Sequence, residues 1–127
     1  MIERRQLTDE EARNFMVKGE LAPELRGAAE NVALVLTQAW CPQWVSMQVW
    51  LGNFERKGKP ENTEIVVYEY LYDRSPSFRE FLRFKEERLG NDLIPYVRYY
   101  KNGALIGESN YVPSRVFINR FDAAYNR

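Results

Sequence analysis

Residues 32–40, VALVLTQAW, form a continuous apolar run of strand length without polar alternation. Such a strand has to be covered on both faces, which calls for a sheet with helices above and below it. The segments around it supply those helices. Residues 42–56 carry Trp44, Val45, Gln48, Val49 and Phe54 as a rough helical stripe. Pro42 fits the first turn, where its missing N–H would have had no partner in any case. Gly52 weakens the later part of that helix. Upstream, Thr8 and Glu11 read as a capping box, and Ala12, Phe15 and Met16 recur at helical spacing up to a stop at Gly19. Residues 20–31, with Pro23 and Gly27, read as a connection, and 57–63 (KGKPENT) as a turn-rich linker.

Downstream, residues 64–72 (EIVVYEYLY) are rich in β-branched and aromatic side chains, which predicts a second strand. Ser77 and Glu80 read as another capping box, with Phe78, Phe81, Leu82 and Leu89 at helical spacing and Gly90 as the end. Two short strands, 96–101 and 104–109, flank Asn102-Gly103, the strongest short hairpin turn because both positions accept a positive φ. A terminal helix over 113–126 carries Val116, Phe117, Phe121 and Ala124 on one face. The order is α, β, α, β, α, β, β, α. Parallel pairing in the first half and antiparallel pairing in the second give a mixed α/β sheet of about four strands with helices on both faces. The length, 127 residues, suits one domain, with 1–31 as N-terminal helix and connection and 32–127 as core.

Composition excludes whole mechanisms. There is no histidine, so no imidazole base and no His-ligated metal. One cysteine allows neither an intrachain disulfide nor a Cys-rich zinc or iron–sulfur site. Lys+Arg and Asp+Glu are both 18, so no global charge draws the chain to nucleic acid or to an anionic membrane. No window approaches the roughly 20 apolar residues of a membrane span. The start, MIERRQLTDEEARNF, has no apolar core behind its basic residues and does not read as a secretion signal. With one unpaired thiol this points to a reducing compartment, most simply the cytoplasm. The alternating Tyr68, Tyr70 and Tyr72, and Tyr96 with Tyr99, read as a packed sheet face. The run Arg83, Lys85, Glu86, Glu87, Arg88 reads as a solvated helix face. Glu61, Glu64 and Glu69 show no metal or acid–base spacing.

The sharpest local feature is Trp40-Cys41-Pro42-Gln43-Trp44, placed where the first buried strand hands over to a helix. Free N–H groups and a partial positive charge at a helix start favour thiolate over thiol. This strand–Trp-Cys-Pro-x-x–helix unit, followed by Ile94-Pro95 and the segment IPYVRYYKNGALIGE with its Asn-Gly hairpin, resembles the thioredoxin and glutaredoxin superfamily. The resemblance spans the order of elements from about 32 to 126. It implies a thioredoxin-like fold, Cys41 as the counterpart of the nucleophilic cysteine, and a cis Ile94–Pro95 bond facing it. It also implies a groove shaped by Trp40, Pro42, Trp44, Ile94 and Pro95, in which the backbone of Ile94 pairs with an extended peptide. No metal or prosthetic group is implied; glutathione or another external thiol would serve as co-substrate.

The departures are equally specific. The family's dithiol members carry a second cysteine where this chain has Trp44, and thioredoxins carry a buried aspartate where it has Val35. A complete dithiol cycle within the chain is therefore excluded. Three functions remain open: a lone thiol exchanging with protein or peptide disulfides through a mixed disulfide, a redox-inactive module that docks a protein or peptide in the same groove, and, more weakly, a redox sensor whose thiol is capped reversibly. The resemblance implies exposure of Cys41 near the helix start, with Trp44 as a side chain able to cover it.

Overall fold

The computed structural model describes residues 2–56 and 65–122. Its centre is β2, Asn31–Thr37, in which every side chain from Val32 to Thr37 is buried. β3, Ile65–Leu71, lies parallel to β2, with Val35 opposite Glu69. On the other side runs β4, Tyr96–Lys101, antiparallel, with Leu36 opposite Tyr96. β5, Ala104–Ser109, pairs antiparallel with β4 through a turn in which Asn102 has φ 51° and Gly103 φ 82°. Those positive values are what the Asn-Gly pair predicts.

The sheet has five strands rather than about four, because β1, Ile2–Gln6, pairs parallel with the far side of β3. Its sequence, IERRQ, hides this strand: only Ile2 is buried, and the rest is polar. Pairing and one ion pair hold it instead. The Arg4 guanidinium donates to both oxygens of the buried Glu69 carboxylate, at 2.5 and 2.9 Å. The unassuming Glu69 of the sequence is thus the anchor of an edge strand.

Helices cover both faces. α1, Asp9–Lys18, starts at the expected capping box: Thr8 Oγ1 accepts from Glu11 N–H at 3.0 Å and Glu11 accepts from Thr8 N–H at 2.9 Å. It ends at Gly19, φ 78°. A short α2, Pro23–Arg26, occupies the connection. α3, Pro42–Arg56, runs through Gly52 without a break. After a 3-10 turn at Tyr72–Arg74 comes α4, Phe78–Arg83, continued by a π-helical turn at Phe84–Arg88. Ser77 does not form the expected capping box. Its φ and ψ, −104° and 33°, are not the extended values an N-cap needs, and its own N–H donates to Ser75 Oγ. α5 spans Ser114–Asn119; the predicted linker at 57–63 and the tail after Asp122 lie outside the described residues. Among the described residues no helix is long and apolar enough to cross a membrane.

Two cores result, one per sheet face. Alternate residues of β2 feed them: Val32, Leu34 and Leu36 meet α1 and α4, while Ala33 and Val35 meet α3 and α5. The first is an aromatic stack centred on Phe81, whose ring lies 5.0 Å from Tyr70, 5.3 Å from Tyr72 and 5.7 Å from Phe84. The tyrosine series is the packed face that the alternation predicts, with Tyr72 just beyond the strand.

Two substitutions test this packing. Phe81→Ala removes the hub of the aromatic stack and should cost about 3–5 kcal/mol, read from urea unfolding. Gly103→Ala meets no atom within 4 Å of the added Cβ, so only the left-handed backbone opposes it. A loss of about 1–2 kcal/mol is expected; a neutral result would show that the hairpin does not hold that conformation in solution.

Candidate functional site

Strand β2 runs out at Thr37, and the chain crosses to α3 in four residues. A turn closed by Cys41 N–H on the Gln38 carbonyl, 3.1 Å, sets this crossing. The Cys41 carbonyl then accepts Val45 N–H at 3.1 Å, which makes Cys41 the residue that opens the helix. Gln38 organises the approach: its amide oxygen accepts from the Trp40 indole at 2.6 Å and its amide nitrogen donates to the Tyr72 hydroxyl at 3.3 Å. Asp73 accepts the Ala39 N–H at 2.9 Å. Burial raises the pKa of the Tyr72 hydroxyl, which keeps it a neutral donor and acceptor.

The opposite wall is the loop 91–95. The Ile94–Pro95 peptide bond is cis. The register that sets Leu36 against Tyr96 puts this bond at the end of the sheet where β2 gives way to α3. The Cys41 thiol points at the Ile94 carbonyl, with Sγ 3.9 Å from the oxygen. Between the walls lies a cleft of about 470 Å³. It is lined by Gln38, Trp40, Cys41, Pro42 and Gln43 from the strand–helix crossing, by Tyr72, Leu82 and Glu86, and by Asp92, Leu93 and Ile94 from the loop.

Of the residues singled out in the sequence, Trp40, Cys41, Pro42 and Ile94 thus meet in one cleft. Pro95 sits just behind it, buried, with its carbonyl accepting from Asn110. Two expectations change. Cys41 is only 4% exposed, because its side chain turns from solvent toward the loop. Trp44 is 2% exposed and belongs to the core with Val35, Met47 and Val97; it does not line the cleft. One turn into α3 its side chain faces the sheet, as do Met47 and Leu51 further along. The exposed aromatic is Trp40, at 65%.

The brace behind the loop was missed in the sequence. Lys85 is 0% exposed, not part of a solvated face. Its ammonium donates to the carbonyls of Asn91 and Leu93 at 2.8 and 2.7 Å and lies 5.6 Å from the centre of the Tyr96 ring. Asn91 and Asn110 exchange a reciprocal pair of amide hydrogen bonds at 3.0 Å, and Asn110 donates on to the Pro95 carbonyl at 3.0 Å. Loop 91–95 is therefore held from beneath by one cation and two amides. The signal was present: Lys85 stands four residues from both Phe81 and Leu89, on the apolar stripe of that helix. Grouping it with its charged neighbours concealed this. Among the described residues no group of three or more His, Cys, Asp or Glu side chains could hold a metal ion.

No protein-family model matches this sequence, and no curated protein matches it either. Solved structures do. Oxidized thioredoxin O1 from Arabidopsis thaliana matches at 14% identity with a TM-score of 0.60, over 93% of this chain and 92% of that one. A single-residue mutant of thioredoxin from Halobacterium salinarum matches at 11% identity with a TM-score of 0.63, over 98% and 92%. Thioredoxin F from spinach chloroplast, long form, matches at 13% with a TM-score of 0.61, over 96% and 86%. The chain has the thioredoxin fold.

The brace makes a prediction of its own. Burial lowers the Lys85 pKa from 10.5 to about 8, partly offset by the charges of Glu86 and Asp92. Below pH 8 the folded state carries the penalty of a buried ammonium. As pH rises from about 8 toward the unfolded-state value of about 10.5, the penalty disappears and stability rises. Shared titrations cancel in the difference between wild type and Lys85→Met, so that difference should climb in favour of wild type across this window. Urea unfolding at several pH values reads it, and a flat difference would refute the lowered pKa.

Proposed function

We propose that this protein uses Cys41 as a lone thiol in thiol–disulfide exchange with protein or peptide partners. The single observation that supports this reading is the position of the chain's one thiol, in the cleft, against the Ile94 carbonyl and beside the cis Ile94–Pro95 bond. The Cys41 thiolate attacks one sulfur of a partner disulfide; that S–S bond breaks, the second sulfur leaves as thiolate, and Cys41 is left in a mixed disulfide. An external thiol such as glutathione then attacks the partner's sulfur and returns Cys41. Trp44, in the core, supplies no second thiol, so the cycle needs that external one. Burial of Cys41 makes docking part of the chemistry: a partner's sulfur reaches it only by entering the cleft and displacing the weak thiol–carbonyl contact. In this reading residues 1–127 act as one thioredoxin-like unit in a reducing, cytoplasmic setting.

The same burial favours a second reading, a redox-inactive module that docks a peptide beside Trp40 and leaves the thiol unused. One experiment separates them. The folded protein is treated with glutathione disulfide and followed by intact mass. Exchange predicts one glutathione per chain, removed by added thiol and absent in Cys41→Ser. Labelling that begins only at urea concentrations that unfold the protein, with glutathione disulfide and with the uncharged hydroxyethyl disulfide alike, eliminates exchange and leaves the docking module. Insulin should be reduced only when an external thiol is supplied.

A further inference from the structure

We propose that the cleft selects an extended, positively charged peptide segment, with Asp73, Glu86 and Asp92 reading its charge and Trp40 and Leu93 flanking an apolar side chain next to the incoming sulfur. The proposal rests on the exchange reading above and names its partner class.

The charge argument is local. The whole chain is neutral, 18 cations against 18 anions. The cleft is not: among the described residues that line it, the charged ones are Glu86 and Asp92, and both are exposed. Asp73 adds a third carboxylate at the Trp40 wall, fixed by the Ala39 N–H. Glu86 lines the cleft together with Cys41 and Tyr72, and Asp73 follows Tyr72 directly in the chain. The same helical run carries Arg79, Arg83 and Arg88, none of which lines the cleft, and Lys85, which is fully buried and donates from its ammonium to Asn91 and Leu93. Lys85 screens the cleft only from behind.

The apolar argument is equally direct. Trp40 and Leu93 are 65% and 60% exposed, although both are large and apolar, and they stand on opposite walls of the cleft. Exposed apolar groups that flank a concave, acid-rimmed site mark an interaction surface. Acidic side chains on that rim attract cationic partners and repel anionic ones. An anionic or phosphorylated segment would meet like charge at the rim.

Three blocked peptides test this. Each carries one cysteine beside a leucine, disulfide-linked to 2-nitro-5-thiobenzoate, and they differ only in two flanking residues: Lys, Gln or Glu. Cys41 attacks the peptide sulfur, the Cys41–peptide disulfide forms, the aromatic thiolate leaves with the electron pair, and the Cys41 proton goes to solvent. The release of colour gives the rate. At low salt the Lys peptide should react roughly tenfold faster than the Glu peptide, and about 1 M salt should reduce the gap to below about twofold. The exposed double substitution Glu86→Gln, Asp92→Asn should reduce it at low salt as well. Equal rates for the three peptides overturn the charge selection and leave exchange intact. If none reacts with the folded protein, exchange falls. The selection is then decided by fluorescence anisotropy of labelled Cys→Ser peptides with the Cys41→Ser protein. Tighter binding of the Lys peptide sustains it, and no preference ends it.

Discussion

The structure depends on the complete burial of β2 between a parallel neighbour on one side and an antiparallel neighbour on the other. A strand buried on both faces has its register fixed twice over, because a slip by one residue would exchange the side chains of the two cores. Its last residue, Thr37, is therefore fixed in space. So is Cys41 four residues later, after a turn closed by its own N–H. The antiparallel neighbour sets the other half of the site from the opposite direction, since β4 begins at Tyr96, immediately after the cis bond. Two strands paired in one register thus bring residues 41 and 94 into contact across more than fifty positions of sequence.

The walls of the cleft are fixed by different means. The Trp40 wall hangs on side-chain amide chemistry: Gln38 ties the indole to the Tyr72 hydroxyl, and Asp73 ties the backbone ahead of it. The loop wall rests on a buried ammonium and an amide pair. A buried lysine with close carbonyl partners loses much when a partner moves, because the desolvated charge is then uncompensated. That makes the loop wall the more rigid of the two. The exposed Trp40, held through one flexible glutamine, is the wall better able to adjust to an occupant.

Much of this was legible in the sequence. The uniform apolar character of 32–36 announced a strand covered on both faces, and Asn102-Gly103 announced the hairpin. The Trp-Cys-Pro and Ile-Pro pairs placed the two halves of the cleft. What escaped has physical causes. β1 carries almost no apolar signal because its hold is backbone pairing and the Arg4–Glu69 pair, and neither depends on hydrophobic periodicity. Lys85 was obscured because a charged residue is normally solvated, and only its spacing from Phe81 and Leu89 betrayed it. Asn91 and Asn110 are common loop residues whose pairing is visible only in three dimensions. The depth of Cys41 depends on the direction of one side chain, which spacing does not specify.

Trp44 carries a consequence for how this chain can change. Position 44, one turn into the helix that Cys41 opens, anchors a core with the largest side chain available. Replacing it by cysteine would open a void beside Val35 and Met47 and would cost on the order of 3 kcal/mol before any redox gain appeared. A second thiol at this position is thereby opposed by volume: the substitution runs through a destabilised state unless neighbouring residues enlarge first.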